Sequence, residues 1–115
     1  MNIPFRLHTL RGEITGLTKR EYPSNGSLAI VASLRFDDGE FEQDAISVNL
    51  DHDINGYASR NLREGEFFGE VNNRKAYIDA LVAAGVIEMT GQKAQSGFVT
   101  YPVCRLTDKG KALIS

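Results

Sequence analysis

The sequence predicts an α+β protein: an antiparallel sheet with one main helix packed on a face, then a C-terminal β-hairpin and a short terminal helix. Three stretches carry this expectation. Leu28, Ile30, Ala32, Leu34 and Phe36 alternate with Ala29, Val31, Ser33 and Arg35, the two-residue period of a strand with one buried face. Tyr77, Ile78, Leu81, Val82 and Ala84 recur at three- and four-residue spacing, the stripe of a helix that packs on one side. Residues 86–90 and 98–106 flank a polar segment as the two arms of a hairpin. At 115 residues, 42% hydrophobic and 24% charged, the chain fits a single α+β domain spanning 1–115.

In chain order, Phe5, Leu7 and Thr9 suggest a first strand, Arg11-Gly12 a turn, and residues 13–18 a second strand in which Gly16 marks a bulge or close backbone approach. Residues 22–27 are turn-forming, with Pro23 and Asn25-Gly26. After the strand at 28–36, Asp37-Asp38-Gly39 makes a hairpin turn. The return strand places Ile46, Val48 and Leu50 on one face. Phe41 has the wrong parity for that face, and a bulge near Gln43 or Asp44 would return it to the core. Residues 51–61 read as a long polar loop, and 66–71 as a short strand or apolar anchor. Asn72 or Asn73 is placed to cap the helix, and Gly85 to end it with Val86 folded back onto Leu81. Pro102 cannot donate to a ladder, so its strand is expected at an edge. Thr107 can cap a last helix running to Ile114, with Asp108 at its positive end.

Charge is distributed unevenly. Residues 1–36 hold five Lys/Arg against two Asp/Glu; residues 37–73 hold two against ten, a net −8; residues 74–115 hold six against three, a net +3. Such a split bears on partners and fields rather than on fold. The solvated edge of a strand and loop is the plainer reading of the acidic middle; the sharper one is a protein-binding surface at Asp37, Asp38, Glu40 and Glu42. A second candidate contact is the polar segment between Gly91 and Gly97, through Gln92, Lys93, Gln95 and Ser96. No apolar run is long enough to span a membrane and the first residues lack a leader pattern, so no membrane partner and a cytoplasmic location are expected. A single cysteine, Cys104, excludes an internal disulfide.

Enzyme chemistry finds little support. Asp51-His52-Asp53-Ile54-Asn55-Gly56 matches the start of a calcium loop, but the twelfth position is Leu62 where a glutamate is required. His8 and His52 are the only histidines, and no Cys or His pair has zinc spacing. The 91–97 segment lacks the Gly-Lys-Ser/Thr ending of a phosphate loop. Cys104 in an apolar strand reads as a packed thiol. No catalytic residue, metal or cofactor is therefore assigned.

Leu28-Ala29-Ile30, Ser47-Val48-Asn49-Leu50, Leu81-Val82-Ala83-Ala84-Gly85-Val86, Thr90-Gly91 and Ser96-Gly97-Phe98-Val99-Thr100-Tyr101-Pro102 together resemble a family of small bacterial proteins of unknown function, carried by plasmids, conjugative elements and phages. The likeness runs over most of residues 7–107. It implies a setting among accessory genes, many of which act on host defence or element transfer, and carries over no activity. The expected function is a non-enzymatic binding protein of a mobile element or phage, an inhibitor of a host defence nuclease acting through its acidic surface. A protein partner is expected, direct duplex binding is not, and homo-oligomerisation stays open. The alternative is a winged-helix-like nucleic-acid-binding regulator using the basic C-terminal third, since a helix, a hairpin and a closing helix follow in that order.

Overall fold

The computed structural model describes residues 1–50 and 61–115. The elements are β1 (Ile3–Leu7), β2 (Leu10–Glu21), β3 (Leu28–Phe36), β4 (Phe41–Ala45), β5 (Ser47–Val48), β6 (Glu66–Gly69), α1 (Lys75–Ala83), β7 (Ile87–Ser96), β8 (Val99–Leu106) and α2 (Asp108–Leu113). They form two four-stranded antiparallel sheets, ordered β1-β2-β3-β4 and β5-β6-β8-β7. The α+β architecture expected from the sequence is the one observed, with the 86–106 hairpin in a second sheet. No helix of the described residues is long and apolar enough to cross a membrane. The Asp51–Gly56 stretch, with His52, lies outside the described residues.

The chain passes from one sheet to the other at Ile46. Its N–H donates to the Ile30 carbonyl of β3, and its own carbonyl accepts from Glu70 N–H just beyond β6. Ser47 is buried next to it; its hydroxyl accepts from Ile30 N–H at 3.0 Å and shares a 2.8 Å hydrogen bond with the Tyr22 hydroxyl. The main core lies between the sheets and under α1, uniting Phe5, Ile14, Leu34, Ile46, Phe67 and Leu81. Leu50, Phe68, Ala94 and Val103 form a second, smaller cluster. Ile46 and Leu50 therefore serve different cores, because the strand that alternation draws as one is divided between two sheets.

The same division corrects the bulge expected in β4. The β3–β4 register runs without interruption from Val31↔Ala45 to Arg35↔Phe41. Phe41 stays outside, 73% exposed, and Glu42 and Asp44 take the helix side opposite Leu34 and Ala32. Charged residues pointing inward on an edge strand obstruct pairing with another chain, a known protection of sheet edges. The bulge expected at Gly16 is present, as a register shift in β2 between Ile14 and Gly16.

The first turn is also displaced from its expected place. Leu7 pairs with Leu10 across a two-residue turn at His8-Thr9, with His8 at a φ of 52°. Gly12 lies within β2 opposite Phe5, and a Cβ there would stand 2.6 Å from the Phe5 ring. Gly12 is thus needed for a close approach and not for a turn. Phe5 then meets Phe36 and Tyr77 edge-on at centroid distances of 5.5 and 4.8 Å.

α1 buries Tyr77, Ile78 and Leu81; Ala84 is half-buried, and Val82, expected on the same face, is exposed at the rim of the stripe. Its N-cap is Arg74, without a side-chain cap bond; the expected asparagine cap is absent, and Glu70 instead accepts from Asn72 N–H at 2.9 Å. The C-terminus follows the Schellman pattern, with Gly85 at a φ of 74°, Val86 N–H to the Leu81 carbonyl, and Gly85 N–H to the Val82 carbonyl. α2 starts as expected: the Thr107 hydroxyl accepts from Gly110 N–H at 3.1 Å.

Two expectations for the C-terminal hairpin need correction. β7 continues as strand through Gln92, Lys93, Gln95 and Ser96, so this segment is not a loop; the turn is only Gly97-Phe98. β8 is an interior strand, although it contains Pro102. Its pairing with β6 ends at Phe68↔Val103, so the missing N–H of Pro102 lies just past that ladder and beside the irregular part of β7.

Candidate functional site

The β3–β4 hairpin carries the densest exposed charge of the acidic segment, because a three-residue turn and an edge strand leave its side chains uncovered. Gly39, at a φ of 92°, closes the turn with its N–H on the Phe36 carbonyl, and Asp38 accepts from Glu40 N–H at 3.0 Å. Asp37, Asp38, Glu40 and Glu42 are all exposed, and none of the four makes an ion pair among the described residues. Asp37, Asp38 and Glu40 share the turn. Glu42 is set apart on the helix side of β4, while Phe41 between them projects from the opposite face.

Other acids of the middle segment have structural partners. Asp44 Oδ2 stands 3.5 Å from Arg74 Nε, and Glu66 is buried with Oε1 accepting from Arg63 N–H at 2.8 Å. Glu70 holds the turn before α1. Tyr77 reports the field beside this group: its hydroxyl pKa is raised, first by burial, then by the negative charges of Asp44 and Glu42. Among the described acids of the middle segment, Asp44, Glu66 and Glu70 are engaged, while the four of the hairpin and Glu64 are exposed.

The basic C-terminal third is likewise mostly committed inside the fold. Arg74 faces Asp44, Lys75 bridges to Asp79 at 2.7 Å, and Arg105 bridges to Glu88 at 2.8 Å. Lys109 Nζ donates to the Ala84 carbonyl at 2.7 Å, where a cation suits the negative end of α1. Two helices are found among the described residues, α1 and α2, and strands precede them where a winged helix needs its first helices.

Gln92, Lys93, Gln95 and Ser96 lie on β7, at the edge of the second sheet and so on a different sheet from the acidic hairpin. Lys93 and Gln95 are exposed there, Ser96 is half-buried, and Phe98 at the adjoining tip is fully exposed. The two exposed phenylalanines, Phe41 and Phe98, were not predicted as surface groups. Their signal is a broken parity in one case and a position inside a two-residue turn in the other.

Chemistry is sparse elsewhere. Cys104 is fully buried, with Sγ 3.7 Å from Met89 Sδ, and burial pushes its thiol up to about 12, partly offset by the Gly69 backbone. A thiol so held is not a nucleophile near neutral pH. Among the described residues no group of three or more His, Cys, Asp or Glu is placed to hold a metal ion. An open cleft of about 600 Å³ is lined by Lys19, Arg63 and Lys111 against Glu21, Glu64 and Glu66, a balanced set that selects no ligand charge. In comparisons with known proteins no family model matches the chain, and no curated protein or solved structure shows significant similarity to it.

Proposed function

We propose that this chain is a non-enzymatic binding protein that presents the β3–β4 hairpin to a basic protein surface. The observation that carries the reading is that Asp37, Asp38, Glu40 and Glu42 are exposed and free of ion pairs among the described residues, whereas Asp44 and Glu66 are engaged within the fold. Free carboxylates on a projecting turn raise the encounter rate with a basic partner and orient it. The family resemblance supplies the setting: a mobile element or phage, with the protein acting in the cytoplasm on a host defence nuclease whose basic nucleic-acid channel the hairpin would occupy. The regulator reading is weaker, because Arg74, Lys75, Arg105 and Lys109 of the C-terminal third have partners within the chain, which leaves Lys93 and Lys111.

The test is affinity capture from the native host, comparing the wild type with a variant carrying Asp37→Lys, Asp38→Lys, Glu40→Lys and Glu42→Lys. A basic protein recovered by the wild type and lost by the variant supports the reading. Equal recovery by both removes the hairpin from it.

A further inference from the structure

The outer face of the first sheet offers a second surface, of opposite charge to the hairpin turn. Because register aligns side chains across strands, its composition can be read row by row. Arg6 lies opposite Arg11; Pro4, Glu13, Arg35 and Phe41 follow in one row; Gly16, Ser33 and Gln43 in the next; then Thr18, Val31 and Ala45; and last Arg20 beside Ala29. Direct contacts support this arrangement: Gln43 Nε2 donates to Ser33 Oγ at 3.3 Å, and Arg35 pairs with Glu13 across β2 and β3.

Every cation in these rows is an arginine. Arg6, Arg11 and Arg20 are exposed and make no ion pair among the described residues; Arg6 Nε donates only to the nearby His8 carbonyl. Guanidinium groups bind phosphate through paired donors and also stack on base planes. Phe41 stands in the row of Arg35 as an exposed ring. Between the charged ends the face is made of small polar and apolar groups, Thr18, Val31, Ser33, Gln43 and Ala45 among them. From Arg11 to Arg20 the strand covers roughly 30 Å at the usual rise.

We propose that this face binds single-stranded nucleic acid, with Arg6, Arg11 and Arg20 on phosphates or base planes and Phe41 as a stacking platform. An open sheet face suits unpaired bases that can lie flat on an aromatic ring. It does not suit duplex, whose bases are read by an element inserted into a groove. Asp37, Asp38 and Glu40 border one end of the face and set where a bound strand must stop. The inference uses the outer strand face and not the carboxylates of the turn; the β3–β4 hairpin carries both, and the arginine reversals and the carboxylate reversals test them separately.

The experiment is fluorescence anisotropy with labelled oligo(dT) and oligo(U) of about a dozen nucleotides, and a duplex of equal length, near 50 mM salt. Micromolar binding of single strands is expected, at least about tenfold tighter than duplex, with log K falling against log salt at a slope of about −2 to −3. Arg11→Glu with Arg20→Glu should lower affinity about tenfold or more, and Phe41→Ala should weaken it at an unchanged slope. Neutralising the turn with Asp37→Asn, Asp38→Asn and Glu40→Gln should tighten it. Thermal unfolding of each variant guards against misfolding. Absence of single-strand binding, binding unaffected by the arginine reversals, or a sedimenting dimer that the same reversals dissociate, with no oligonucleotide bound, would overturn the proposal.

Discussion

Arg74, at the start of α1, stands 3.5 Å from Asp44 on β4 and makes no hydrogen bond through its buried Nε. The pair is a charge contact, and it joins the helix to the edge strand of the first sheet. It also sorts the acidic segment, since Asp44 is engaged while Glu42, two residues earlier on the same face, is not. Asp44→Asn removes the carboxylate charge that faces this buried guanidinium nitrogen.

Asp44→Asn should therefore destabilise the protein by about 0.5–1.5 kcal/mol, discounted because both side chains keep some contact with water. In a double-mutant cycle with Arg74→Met, urea unfolding should give a coupling of about 0.5 kcal/mol or more. Additivity to within about 0.3 kcal/mol would mean that the contact contributes nothing.

Leu81→Ala should cost about 2–5 kcal/mol. Leu81 is fully buried in the main core, and its carbonyl receives Val86 N–H in the motif that ends α1. Chemical denaturation measures this directly, and a loss below about 0.5 kcal/mol, as at a surface site, would contradict the packing described.

The turns and parities of this chain show how far its sequence is legible. The β3 alternation, the Gly85 stop, the Thr107 cap and the Gly16 bulge are local signals, and each is found where it was read; the α1 stripe is found at Tyr77, Ile78 and Leu81 but not at Val82. What failed depends on contacts distant in sequence. Gly12 is required by the Phe5 ring above it, and the parity of Phe41 makes sense only once β4 and β5 belong to different sheets. Pro102 is tolerated in an interior strand because β6 stops one pair short of it. For the candidate site, the charge of residues 37–73 was visible, but which carboxylates are engaged was not. That depends on Arg74 and on the Arg63 backbone, whose positions no local pattern gives.

Cys104 supplies a pH test. Its thiol rises from 9.0 to about 12 on folding, so the unfolded chain releases the proton first and holds fewer protons at alkaline pH. The stabilisation is complete below about pH 9 and is lost as pH climbs toward 12. Between about pH 9 and 10 the unfolding free energy should fall with a slope approaching 1.4 kcal/mol per pH unit. Cys104→Ala should remove the thiol's share of that slope, most clearly near pH 9, while only modestly lowering stability at pH 7. Tyr22 and Tyr77, both raised by burial from 10.0, start to add alkaline contributions of the same sign as pH nears 10, so the difference in slope between wild type and Cys104→Ala is what isolates the thiol. An unchanged slope in Cys104→Ala, or rapid stoichiometric labelling of the native thiol near neutral pH, would contradict the buried, inert assignment.

The claim that most needs testing is that the free carboxylates of the β3–β4 hairpin dock a basic protein. The direct measurement is the association rate of the captured partner as salt is raised from about 50 to about 300 mM. For the wild type the rate should fall about tenfold or more as screening removes the steering field. The variant with Asp37, Asp38, Glu40 and Glu42 changed to lysine should bind slowly at low salt and lose that dependence. Equal rates for the two proteins would contradict the account. So would micromolar binding of random duplex near 50 mM salt that disappears when Lys93, Lys109 and Lys111 are removed, a result that favours the nucleic-acid regulator.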